Sequence, residues 1–193
     1  MPNWCTSAYV ICGNASETKE LYDLMSKLQA MKEPSVENGF GTTWLGCLVE
    51  ALGGDYNEIY CRGDWNSLEA GDGVLTLSTE TAWGPCNEVF DFLCSKYPSL
   101  RYYFQSEEPG MGEYLTNDSN GYYFSEKYYV DICTPDEKYL TEYFRDSLSM
   151  FKWFEDLLEQ PINSEQDIKA ITEKWQEVNE DAFCNIYEFK VVA

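Results

Sequence analysis

Two stretches of this chain carry apolar side chains at helical spacing along one side only, and that one-sidedness limits the available folds more than any other feature. Leu21, Leu24, Met25, Leu28 and Met31 form the first stripe, and Cys86, Val89, Phe90, Leu93, Cys94 and Tyr97 form the second. Such spacing predicts two amphipathic helices, each with a single face to bury. A shared sheet is the simplest surface that covers both. Its strands are legible around them. Trp4 to Cys12 is rich in aromatic and β-branched residues, Tyr60 to Glu69 and Val74 to Trp83 flank Gly71-Asp72-Gly73 as a hairpin, and Leu100 to Phe104 follows Pro98. Asn14 and Glu17 read as a capping box for the first helix, and Pro85 as the first residue of the second. Trp44 to Leu52, closed by Gly53-Gly54, predicts a short helix between them.

The order β-α-β-β-α-β over residues 1–108 predicts an α+β protein with a ferredoxin-like core. Residues 109–193 read as an α+β elaboration of the same compact unit, 1–193. Gly112 to Thr116 and Tyr122 to Cys133 are expected to form a hairpin about Asn120-Gly121. Two helices follow, one starting at Asp146 or Ser147 with Leu148, Phe151, Phe154 and Leu158 inward. The other is capped by Asn163 or Ser164 and carries Ile168, Ile171, Trp175 and Val178. Asn185 to Val192 is expected to end the chain as a strand.

Several chemistries are set aside by composition. The 193 residues include no His, so Ser-His and Cys-His nucleophile pairs are excluded, and no catalytic residue is assigned. Eight Cys without a C-x-x-C pair, and without His, predict no metal site and no cofactor. Met1 to Gly13 lacks the basic and long apolar regions of a secretory signal, so the expectation is a cytoplasmic protein with reduced thiols. Charged residues interrupt every apolar run well short of the about 18 residues a membrane span needs. A net charge of −21, spread over both halves of the chain, would repel a phosphate backbone and excludes direct nucleic-acid binding.

Candidate site residues come from two patterns. Gly39-Phe40-Gly41-Thr42-Thr43 lacks the Lys of a phosphate-binding loop and reads as a turn, as does Asn117-Asp118-Ser119-Asn120-Gly121, which lacks the carboxylate spacing of a calcium loop. Glu107-Glu108-Pro109-Gly110 follows a predicted strand, where the carboxylate pair could hold a hard cation or act as acid and base, with Asp64 and Glu80 as partners if the sheet brings them near. Pro109-Gly110 equally marks an exposed turn, which is the favoured reading. Trp44, Trp65 and Trp83 lie beside glycine-rich segments, where an indole serves either the core or a ligand.

Met1-Pro2-Asn3-Trp4-Cys5 resembles the opening of the YubB-like proteins, a family of plasmids, phages and Bacteroides-type genomes. Thr81-Ala82-Trp83-Gly84-Pro85 resembles their second motif, and Tyr103, Glu107, Pro109 and Gly110 a third patch. Thr6 and Cys86 stand where that family commonly has Asn and a second Pro. The resemblance implies a ferredoxin-like domain and a mobile-element setting, and it carries no catalytic residues with it. Together these readings lead to two expectations. One is a non-enzymatic binding module whose acidic surface meets a basic host protein, in its sharpest form as a DNA mimic. The other is a small-ligand sensor or carboxylate-based enzyme with a pocket near Trp44, Trp83 and Glu107. Homo-oligomerisation through a free strand edge is open under either.

Overall fold

In the computed structural model, which describes residues 2–192, the two apolar stripes become α1 (Ala15–Gln29) and α3 (Asn87–Lys96). Met1, the first residue of the opening motif, lies outside the described residues. The chain is mixed α and β, with five helices and sheets of six and three strands among the described residues, and divides into two units. The first unit runs to Ser119 and takes up the chain again at Val191, and the second is Asn120–Lys190.

In the first unit β1 (Trp4–Cys12) is flanked by β3 (Val74–Ala82) and β4 (Arg101–Glu108), both antiparallel to it. β2 (Gly63–Gly71) pairs with β3 across the Gly71-Asp72-Gly73 turn. The sheet order is β2-β3-β1-β4-β5-β9, where β5 is Glu113–Thr116 and β9 is Lys190–Val191. The expected hairpin of residues 112–116 with 122–133 does not form. The Pro109 to Gly112 turn instead folds β5 back on β4, Gly112 adopting φ +67°. Asn117 then extends that pairing with its side chain, Oδ1 accepting the Phe104 N–H (2.8 Å) and Nδ2 donating to the Tyr102 carbonyl (3.1 Å).

Period-two alternation sends Tyr9 and Ile11 of β1, Leu75 and Leu77 of β3, and Phe104 of β4 to the helix side of the sheet. There they meet Leu21 and Met25 of α1, Val89, Phe90 and Leu93 of α3, and Leu45 and Leu48 of α2 (Leu45–Ala51). Burying each such side chain contributes roughly 1.5–3 kcal/mol. Tyr9 stacks on Phe90 at 3.8 Å, and its hydroxyl donates to Asn87 Oδ1 at 2.9 Å, so the ring is buried without orphaning its polar end. The α1 cap is only half of the expected box. Asn14 Oδ1 accepts the Ser16 N–H, but Glu17 turns away and accepts both the N–H and hydroxyl of Ser99, tying α1 to the approach to β4. α3 begins at Asn87 rather than Pro85, with Cys86 as its cap residue.

The second unit places β6 (Tyr128–Cys133) between β7 (Tyr139–Phe144) and β8 (Phe183–Glu188). α4 (Ser147–Leu158) and α5 (Glu165–Val178) cover one face through Met150, Phe154 and Ile168, which pack with Val130, Ile132 and Phe144. Leu148 and Val178, expected inward, are each 78% exposed, because the buried line of α4 runs through Met150 and Phe154, and Val178 ends α5. The expected final strand is interrupted at Phe189, whose N–H donates to the Lys127 carbonyl, leaving β8 in one sheet and β9 in the other. Among the described residues no helix is long and apolar enough to cross a membrane.

Candidate functional site

The face of the six-stranded sheet opposite its helices is partly exposed where the first three strands cross it. Thr6 and Ala8 of β1, Glu80 of β3 and Asn66 of β2 are exposed there. The register aligns one row across four strands. Asp64 lies opposite Glu80, Glu80 opposite Thr6, and Thr6 opposite Glu107. With neighbouring strands about 4.8 Å apart, Asp64 and Glu80 are immediate neighbours, and Glu107 stands two strands, about 10 Å, from Glu80. Among the described residues neither Asp64 nor Glu80 forms an ion pair. Partial burial and then the charge of Glu80 hold the Asp64 carboxyl above its ordinary range.

Glu108 belongs to a different environment. As the strand neighbour of Glu107 it points to the opposite side of the sheet and is 1% exposed. Its Oε1 accepts the Gly110 N–H and its Oε2 the Met111 N–H, both at 2.8 Å, so it builds the turn between β4 and β5. The structure therefore divides the Glu107-Glu108 pair, giving half-buried Glu107, opposite the buried Tyr114, to the face away from the helices and Glu108 to the turn. Behind that turn lie the buried Cys5, Ser7, Thr81 and Ser106. Burial raises the Cys5 thiol, against the pull of the three hydroxyls, and the Glu108 charge adds to the rise.

The three motif patches meet at this end of the sheet. Trp4 pairs with Ala82, the Trp83 N–H donates to the Asn3 carbonyl (2.8 Å), and the Thr81 hydroxyl donates to the carbonyls of Cys5 (3.3 Å) and Gly84 (2.8 Å). Gly110 is packed so closely on Asn3 that a Cβ there would fall 2.5 Å from the Asn3 amide nitrogen. Two indoles emerge from this corner, Trp4 and Trp83, each 45% exposed. Trp83 holds φ +70°, a left-handed conformation that costs a bulky residue on the order of 1–3 kcal/mol. Trp4 escaped the sequence reading as a site residue, since its strand pattern alone marks it as one more aromatic.

Of the remaining candidates, Trp65 is fully buried in the core, where its indole N–H has no hydrogen-bond partner among the described residues. Trp44 caps α2 and lines a cavity of about 410 Å³ with Tyr56 and Arg62; neither Trp83 nor Glu107 lines it. Among the described residues no group of three or more Cys, Asp or Glu could hold a metal ion, and all eight Cys are free. No family model, curated protein or solved structure matches the chain.

Proposed function

We propose that this protein is a non-enzymatic binding module that receives a Lys- or Arg-bearing segment of a basic partner on the open sheet face. The observation that carries the reading is the corner itself. Exposed Trp4 lies on the same sheet face as the cross-strand carboxylates Asp64 and Glu80, with half-buried Glu107 further along their row, and exposed Trp83 is joined to the start of the same strand through its backbone bond to Asn3. Cations are drawn to indole faces as well as to carboxylates, so the two features select the same partner chemistry. The net charge of −21 steers such a partner from a distance. In its sharpest form the proposal is imitation of DNA, the carboxylate line standing in for phosphates before a host DNA-binding protein in the cytoplasm.

The antiparallel order β4-β1-β3-β2, with α1 and α3 on one face, supports reading this part of the sheet as a ferredoxin-like core enlarged by β5 and β9. That reading agrees with the YubB-like resemblance and the mobile-element setting it implies.

The test is affinity recovery of the tagged protein from its native cell at low and high salt, with Glu80→Lys and Trp4→Ser variants alongside. The proposal expects a basic protein retained at low salt, released at high salt and lost from both variants, with duplex DNA competing if mimicry operates. Recovery of the same partner by Glu80→Lys, or retention indifferent to salt, would overturn it.

A further inference from the structure

The cavity beside Trp44 is built from parts that have no role in the open-face site. Its walls include Phe40, Trp44, Tyr56 and Ile59, its charged groups are Arg62, Glu58 and Glu88, and Asn57 and Tyr60 add neutral polar groups. At about 410 Å³ it has the size of a small-molecule site. Each aromatic wall is held by its own local device. The Asn38 carboxamide accepts the N–H groups of Phe40 (2.6 Å) and Gly41 (2.7 Å), fixing the loop that presents Phe40. Trp44 lies on Gly46, where a Cβ would come within 2.3 Å of the indole, and meets Tyr56 edge-on at 5.4 Å. The segment that carries Tyr56 to Arg62 is clasped at Tyr60, whose N–H donates to Glu88 (2.9 Å) and whose hydroxyl donates to the Ala82 carbonyl (2.7 Å).

Charge is the second observation. In a chain with 34 acidic and 13 basic side chains, a guanidinium has carboxylates in abundance to pair with. Arg62 nevertheless makes no ion pair and no side-chain hydrogen bond among the described residues, although Glu58 and Glu88 line the same cavity. Glu88 is engaged by the Tyr60 backbone instead. An aromatic slot with one uncommitted guanidinium fits a flat ring bearing a planar anion, since Arg matches a carboxylate with two parallel N–H donors. The flanking Glu58 and Glu88 would repel a polyphosphate, which narrows the anion to a single charge.

We propose that this cavity binds a small aromatic carboxylate, its ring against Phe40, Trp44 and Tyr56 and its carboxylate on Arg62. The site is independent of the open-face interaction, and failure of either leaves the other standing. Calorimetric titration of the whole protein with indole-3-acetate, and with indole-3-acetamide as the uncharged isostere, tests it. The acetate is expected to bind, with the amide at least about tenfold weaker, and Arg62→Gln is expected to remove that preference by weakening only the acetate. Arg62 is exposed, so the variant keeps its fold, which far-ultraviolet circular dichroism verifies. No binding of the acetate, equal binding of acid and amide, or full affinity in Arg62→Gln would each sink the proposal.

Discussion

Asp64 and Glu80 are cross-strand partners on the open face of the sheet, and after partial burial it is the charge of Glu80 that raises the Asp64 carboxyl above its ordinary range. Two like charges directly opposite one another weaken an antiparallel pair, so the sheet keeps this arrangement at a cost to its own stability. The cost falls at the residues we assign to the partner surface.

Removing one charge therefore has a defined sign. Glu80→Gln is expected to lower the Asp64 pKa toward its ordinary value, as read by carbon-13 NMR titration of the Asp64 carboxyl. A raised folded pKa means that the native state binds the proton more tightly than the unfolded chain. The penalty from Asp64 is thus full at neutral pH and is relieved as pH falls through the raised value toward the unfolded one. The variant should be more stable than the parent at neutral pH, and the difference should shrink on acidification. An unchanged Asp64 titration would refute the coupling.

Glu108 is expected to behave as structure and not as a site. Its buried carboxylate makes two charge-assisted bonds to the backbone of the exposed turn residues Gly110 and Met111, so Glu108→Ala should cost about 1.5–3 kcal/mol in urea unfolding. At a temperature where the variant remains folded, partner recovery should match the parent. A loss of binding without a loss of stability would place Glu108 in the interface.

Much of the first unit was legible in the sequence because its signals are local. Trp4 to Cys12 is rich in aromatic and β-branched residues, Val74 to Thr79 alternates, the two helical stripes are one-sided, and Gly71-Asp72-Gly73 marks its own turn. The second half is harder to read. Tyr139–Phe144 carries exposed Tyr139, Thr141, Glu142 and Tyr143, so as an edge strand it lacks the apolar alternation that would announce it. The partner of β5 was misread because Asn120-Gly121 looks like a stronger hairpin turn than the Pro109 to Gly112 turn that closes the pair. The carboxylate row depends on a non-local event, insertion of β1 between β3 and β4, which sets Thr6 between Glu80 and Glu107. No local pattern contains that register. The Trp44 cavity was legible only in its indole, since the uncommitted state of Arg62 is a property of packing.

The helix caps of the second unit predict its response to acid. Asp146 accepts the Ser149 N–H at the start of α4, and Asp167, in the first turn of α5, accepts the Asn163 N–H (2.9 Å) and the Ser164 hydroxyl. These bonds hold both carboxyls below their ordinary values. Stabilisation from a lowered carboxyl is complete above the unfolded pKa and is lost as pH falls through the folded one. Urea midpoints should therefore drop across that acid window, and Asp146→Asn with Asp167→Asn should flatten the drop. A double variant with the parent's acid profile would place the acid sensitivity elsewhere.

Trp83 offers the sharpest separation of function from stability. Its left-handed backbone is a poor conformation for a bulky residue and an acceptable one for Asn, while its indole is 45% exposed, so that about half of its surface is buried. The N–H that tethers it to the Asn3 carbonyl belongs to the backbone and survives substitution. Relief of strain on the order of 1–3 kcal/mol offsets the loss of the indole's burial, so Trp83→Asn is expected to leave the urea midpoint close to that of the parent. If the indole is held in this conformation to meet a cationic partner, the same variant should lose partner recovery at low salt. Retained recovery with unchanged stability would mean that the strained tryptophan serves neither the fold nor the open-face interaction, and would move the binding surface away from the motif corner. Reduced stability would instead show that Trp83 is held by packing, making its exposure a by-product of the turn.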